Sequence, residues 1–183
     1  MAVMDWVSGG LAAACLGTGL LHVLRVALRR RDVAAELSHA AMGLGMAAML
    51  SPLGNPVPGP VWTVVFVLGV VWFGGAVLRS RTFGGDAGHH VVGSGAMLLM
   101  LAAGHSAHGR GVAGTLGLAS VLALALTGYF AWHALRCADG CRRAEPAPGV
   151  VATRTRTLVA PQLAAGAQLV TAATMSVMLL GMV

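Results

Sequence analysis

PVWTVVFVLGVVWFGGAVLR, residues 60–79, is an apolar run whose only charged residue is the arginine at its end. A hydrocarbon core about 30 Å thick is spanned by roughly 20 apolar residues in helical form. The run also starts with proline, which is tolerated in the first turn of a helix because the first amide protons have no intrahelical partner. These features predict a transmembrane helix.

Five further apolar runs flank this stretch. They cover approximately residues 4–28, 37–54, 88–104, 111–136 and 158–182. The chain of 183 residues is 57% hydrophobic and only 10% charged, whereas soluble domains carry roughly 25% charged residues. We therefore expect an all-α integral membrane bundle of six helices, with residues 1–183 as one transmembrane domain in the lipid bilayer.

The basic residues predict the orientation of this bundle. The formal net charge is +6 and every basic residue is arginine. Arginines follow the first, third and fifth runs, whereas the other side carries only Arg110. The positive-inside rule then places both termini outside the plasma membrane and a flexible loop, residues 137–157, in the cytoplasm. We expect Asp139-Gly140 to end the preceding helix. Charges clustered at helix ends are a topology signal, so no nucleic-acid partner is expected.

The six runs form three hairpins with similar patterns, at residues 1–54, 60–104 and 111–183. In the second helix of each hairpin, a polar residue is followed by Met seven places on and by another Met three further. These triplets are His39, Met46, Met49; His90, Met97, Met100; and Gln168, Met175, Met178. Offsets of seven and three share one helical face. The pattern is either a threefold repeat or a chance alignment of apolar helices.

The repeated face suggests a soft-metal site. His39, Met42, Met46 and Met49 offer one imidazole and three thioethers on one stripe. Thioether ligands select Cu(I), and imidazole accepts the same ion. We expect the metal ligands to be His39, Met42, Met46, Met49, His90, Met97 and Met100. The alternative is that methionine only fills gaps in the core and histidine only lies at the interface.

Other residues extend this predicted site. Further candidate ligands are His22, His89, His133, Met175 and Met178. Glu36 and Asp86 precede His39 and His89 by three residues. We expect both acids to cap their helices or to orient an imidazole from behind.

The stretch LSHAAMGLGMAAM, residues 37–49, with His89-His90 and Met97-x2-Met100 downstream, resembles a known family. It is a group of small polytopic membrane proteins from actinobacteria that share a domain of unknown function. The resemblance implies a multi-pass membrane fold over most of the chain and implies no catalytic residue.

Three functions remain open on this evidence. The first is a protein that binds Cu(I), and carries it through a Met/His-lined core. The second is a membrane redox protein with b-type haem or quinone, for which Gly43, Gly45, Gly93 and Gly95 would make room. The third is a scaffold or accessory subunit. No P-loop, Ser–His–Asp arrangement or CxxC motif is present, which favours a protein that is not an enzyme. The expected partners are the bilayer, a metal ion, and further copies of the chain or another membrane protein.

Overall fold

The computed structural model describes residues 2–29, 32–51, 54–83, 86–106, 117–143 and 161–183. These residues form six α-helices and no β-strand, which confirms the predicted class. The helices are α1 Ala2–Arg29, α2 Val33–Leu50, α3 Gly59–Ser80, α4 Asp86–Ser106, α5 Leu118–Arg143 and α6 Pro161–Leu180. The most extensive contacts are those of α1 with α2, α3 with α4, and α5 with α6. The described helices thus form three hairpins.

Five of the six helices are long and apolar enough to cross a membrane, counted over the described residues. The remaining helix, α4, begins with Asp86 and carries His89, His90 and Ser94 in its first half. The structure therefore supports a multi-pass membrane protein.

Local sequence explains several helix ends. Pro60 stands in the first turn of α3, where its fixed φ favours the helix. Ser51, which follows α2, is extended at φ −64° and ψ 122° and precedes Pro52, a position that disfavours helical backbone. Two turns use left-handed residues that are not glycine, Asp32 before α2 and Arg81 after α3.

Three predicted boundaries are wrong. The second helix begins at Val33 rather than residue 37 and ends at Leu50 rather than residue 54. The fifth helix continues through Asp139 and Gly140 to Arg143, because one glycine costs a helix only about 1 kcal/mol. Residues 137–143 are therefore helical and not part of the predicted loop. Residues 111–116 and 144–157 lie outside the described residues.

Large apolar side chains cover the outside of the bundle. On α3, Val64, Leu68, Val71 and Trp72 form an exposed stripe. The buried polar side chains are instead in the interior: His22, Arg25, His39, His90, Ser94, Thr171 and Thr174. An apolar patch of this extent is not stable in water, whereas lipid solvates it. This distribution fits a bilayer environment.

The α1–α2 hairpin is held by a close backbone contact. A Cβ atom added at Gly43 would lie 2.9 Å from the Cys15 carbonyl oxygen and 2.9 Å from the Gly19 Cα. Only glycine allows helices to approach so closely, as is common between membrane helices. This contact fixes the level at which side chains of α1 meet those of α2.

Candidate metal centre

Histidines from four helices meet at one end of the bundle. The ring centroids of His39 and His90 are 4.6 Å apart, those of His22 and His39 are 4.9 Å apart, and those of His89 and His133 are 4.0 Å apart. We call these five residues the histidine layer. It forms because α1 and α5 end where α2 and α4 begin, so that histidines near these ends share one level.

Two residues of the histidine layer, His39 and His90, form a compact group with Asp86 of α4. One ligand atom from each of the three lies within 4.8 Å of the others. The His90 Nε2 is 3.8 Å from an Asp86 carboxylate oxygen. Both histidines are buried, whereas the Asp86 side chain is 72% exposed. The group therefore reaches from the interior to the protein surface, and its two imidazoles and carboxylate suit a transition-metal ion.

His90 is the residue in this group with unsatisfied polar atoms. Its side chain is 0% exposed, and neither ring nitrogen has a hydrogen-bond partner among the described residues. The ring stacks on Phe73 of α3, with centroids 4.3 Å apart. Leaving a buried polar group without a partner costs about 1–3 kcal/mol. A bound cation would satisfy one of these nitrogens.

Both acids lie in the first turn of their helices, as predicted, and each approaches an imidazole other than the one three residues on. Glu36 contacts α1 and not His39: it accepts hydrogen bonds from His22 Nδ1 at 2.6 Å and from Arg25 Nε at 2.9 Å. Asp86 approaches His90, four residues on, rather than His89. The reason is geometric, because residues i and i+4 also face each other on a helix. Asp86 thus belongs to the candidate ligand group, and Glu36 closes the α1–α2 hairpin.

The remaining histidines have aromatic and polar neighbours. The Tyr129 hydroxyl is 3.1 Å from His89 Nδ1, and the His89 ring stacks on that of His133. The side-chain amide of Gln168 lies 3.3 Å from His39 Nε2. Gln168 therefore connects α6 to the histidine layer, and Phe73 of α3 contacts it through His90. All six helices therefore contribute to this end of the bundle.

The predicted methionine ligands lie inside the bundle. Met42, Met46, Met97 and Met175 are almost fully buried, and Met100 is buried at 7% exposure. Met49 and Met178 are partly buried against the same core. The methionine faces therefore point inward and not toward lipid. No metal coordination follows from this burial alone, because methionine also fills cores.

Glycines next to these methionines are filled by protein atoms. A Cβ at Gly45 would lie 2.8 Å from the Met97 methyl, and one at Gly93 would lie 2.6 Å from the Met42 sulfur. Gly43 is occupied by the backbone of α1. Three of the four glycines expected to accommodate a haem thus lie against atoms of neighbouring helices, whereas no described atom lies within 4 Å of a Cβ at Gly95.

Four contributors to the site were absent from the predicted ligand set: Arg25, Phe73, Tyr129 and Gln168. Tyr129 is the only tyrosine in the chain and lies one turn before His133, which is a usable signal. Gln168 occupies the repeat position equivalent to His39 and His90. Arg25 lies inside the first predicted apolar run and has no predicted role, and Phe73 carries no sequence signal that separates it from other apolar residues.

Comparison with known proteins identifies a family. No curated protein and no solved structure matches the chain. The sequence pattern of DUF5134, a domain of unknown function, matches residues 31–182, which include α2 to α6 and leave out α1. This agrees with the expected resemblance to a family of unknown function, while its actinobacterial origin and its His/Met signature stay predictions. The chain belongs to the DUF5134 family.

Proposed function

We propose that this membrane protein binds a transition-metal ion at the histidine layer, with His39, Asp86 and His90 as ligands. The observation that carries the proposal is His90, a fully buried imidazole whose Nδ1 has no hydrogen-bond partner among the described residues and whose Nε2 faces the Asp86 carboxylate at 3.8 Å. It lies beside a second buried imidazole and within reach of a carboxylate. Buried groups of this kind are usually paired or bound to metal.

The three ligands have complementary roles. Asp86 is exposed and negative, so it attracts a cation to the end of the bundle. His39 and His90 then offer neutral nitrogen donors in a region shielded from water. Phe73 packs against the His90 ring and limits its rotation. A bound ion would balance the negative charge of the Asp86 carboxylate and would be coordinated by one nitrogen of each imidazole.

We further propose that the ion is copper, carried as Cu(I) from the histidine layer into the bundle. Met42, Met46 and Met97 are buried beyond the histidine layer, toward the other end of α2 and α4, and thioethers prefer Cu(I) to Zn²⁺ or Mg²⁺. The competing function is a scaffold or accessory subunit. The packing of Met42 and Met97 against glycines favours it, because these contacts give methionine a structural role.

We propose the same orientation as the arginines predict, with the histidine layer at the cytoplasmic face of the plasma membrane and both termini outside. The support is that α1, α3 and α5 carry arginine in their last turn, at the end of the bundle where α2 and α4 begin. An ion would then reach Asp86 from the cytoplasm.

Metal analysis of the purified protein tests the site. We expect detergent-purified protein, loaded with copper or zinc and passed over a desalting column, to keep about one ion per chain. Asp86→Asn and His90→Gln should each lower the affinity about tenfold or more, because each removes a ligand. The control is His105→Gln, on the same helix about 22 Å from His90.

The result separates the candidates. Equal metal content in the wild-type protein, Asp86→Asn and His90→Gln would contradict the site and favour the scaffold. Zinc retained in preference to Cu(I) under reducing conditions would keep the site and overturn copper as the metal.

A further inference from the structure

His22 of α1 carries a buried polar atom that the proposed three-ligand group does not use. Its side chain is 2% exposed, and its Nε2 has no hydrogen-bond partner among the described residues. Burying a polar atom without a partner is costly, so native proteins pair such atoms with protein groups, ordered water or an ion. The surroundings of His22 distinguish between these partners.

Glu36 determines which nitrogen of His22 carries the hydrogen. The Glu36 Oε2 accepts a hydrogen bond from His22 Nδ1 at 2.6 Å, and its Oε1 accepts one from Arg25 Nε at 2.9 Å. Because Nδ1 carries the hydrogen, the neutral ring has its lone pair on Nε2. Histidines that bind metal usually donate their other ring N–H to a carboxylate in this way, which fixes the tautomer and the ring orientation.

The lone pair of His22 is directed away from Glu36. The two nitrogens of an imidazole are separated by one ring carbon, so their hydrogen-bonding directions diverge widely. The ring of His22 lies next to that of His39, with centroids 4.9 Å apart and an interplanar angle of 30°. The His39 ring in turn lies 4.6 Å from that of His90. His22 therefore adjoins the candidate ligand group through His39.

We infer that His22 is a fourth ligand of the ion at the histidine layer and that Glu36 positions it. The complete ligand set comes from α1, α2 and α4: His22, His39, Asp86 and His90. Three imidazoles and one carboxylate are a full four-coordinate set for a transition-metal ion. Glu36 is a positioning residue and not a ligand, since each of its oxygens already accepts a hydrogen bond.

The inference rests on the proposed function, because it adds a ligand to the same ion. It also extends the site beyond the segment that defines the family. The family pattern matches residues 31–182, whereas α1 ends at Arg29. Metal binding would therefore join a helix outside the matched segment to α2 and α4.

Electron paramagnetic resonance of bound Cu²⁺ tests the inference, because pulsed measurements count the imidazoles that coordinate the ion. The full chain in detergent receives less than one equivalent of Cu²⁺, so that only the tightest site is filled. We expect three coordinated imidazoles in the wild-type protein and two in His22→Gln, which should also bind Cu²⁺ about tenfold more weakly. Glutamine keeps an N–H donor for Glu36. His133→Gln, the matched control in the same layer, should keep three.

The outcomes separate this inference from the proposed function. Two imidazoles in both the wild-type protein and His22→Gln would overturn the fourth ligand and keep the three-ligand site, with water as the partner of the His22 Nε2. Three imidazoles in His22→Gln would likewise overturn it. A wild-type protein that retains no Cu²⁺ would contradict both proposals.

A second pair of variants covers the case in which His22→Gln does not fold, as gel filtration would show. Three coordinated imidazoles in both His89→Gln and His133→Gln would leave His22 as the third imidazole of this layer. A fall to two in either of these variants would assign the third imidazole to that residue and contradict the inference.

Discussion

At the scale of single residues, the ion pair of Arg25 and Glu36 joins α1 to α2 inside the bundle. Arg25 is buried, and its Nη1 has no hydrogen-bond partner among the described residues. Glu36 is its counterion at 2.9 Å and also accepts from His22. Removing one partner from such a pair leaves the other charge buried and uncompensated. The pair therefore locks the α1–α2 hairpin at the level of the histidine layer.

We predict that Glu36→Gln destabilises the protein by about 3–5 kcal/mol, since it leaves the Arg25 charge without a counterion. Thermal unfolding in detergent, followed by circular dichroism, measures this effect. The double change Glu36→Gln with Arg25→Gln should recover part of the stability, and Arg79→Gln at an exposed site should have little effect. A double variant no more stable than Glu36→Gln alone would contradict this account.

Residue-level prediction from sequence succeeded where it depended on one helix. Counting along α2 placed His39, Met42 and Met46 on one face, because the helical period is local. It failed for Glu36, whose partner is His22, because that pairing depends on how α1 is rotated against α2. The sequence carries no local signal for this rotation.

At the scale of helices, glycines determine how closely the hairpins pack. At Gly43 the atoms that a Cβ would meet belong to the backbone of α1, which cannot move as a side-chain tip can. At Gly95 no described atom lies within 4 Å of an added Cβ. A side chain at position 43 would thus clash with the α1 backbone, whereas one at position 95 would have free space.

We predict that Gly43→Ala destabilises the protein by about 1–3 kcal/mol, because the methyl group forces α1 and α2 apart. Gly95→Ala should be neutral or should stabilise α4 by up to about 1 kcal/mol, because alanine favours helix over glycine. Chemical denaturation of both variants in the same detergent gives the comparison. Equal stability of the two variants would show that the close contact is unimportant.

Over the described residues, helix prediction was correct in number and type and less accurate at the ends. Long apolar runs bounded by arginine or proline predicted six helices, because the membrane sets their length. The end of α5 was missed because Asp139-Gly140 resembles a turn, whereas the helix tolerates both residues. The pairing of α1 with α2 and of α3 with α4 agrees with the short connections within these two hairpins.

At the scale of the whole molecule, the distribution of charge predicts which side of the membrane holds the histidine layer. Residues 54–58 and residues 81–83 lie in turns at opposite ends of α3. The first turn carries no charged residue, whereas Arg81 lies in the second. We therefore predict that a reporter active only outside the cytoplasm is active when fused after Asn55 and inactive when fused after Phe83. The reverse pattern would invert the protein and place Asp86 outside the cell.

The order of synthesis has a consequence for the proposed metal site. His39, Asp86 and His90 all belong to the first two hairpins, and α5 begins only at Leu118. All three of these proposed ligands are therefore synthesised before the third hairpin is translated. His133 and Gln168 are synthesised last. The third hairpin is therefore added to a pair of hairpins that already contains His39, Asp86 and His90.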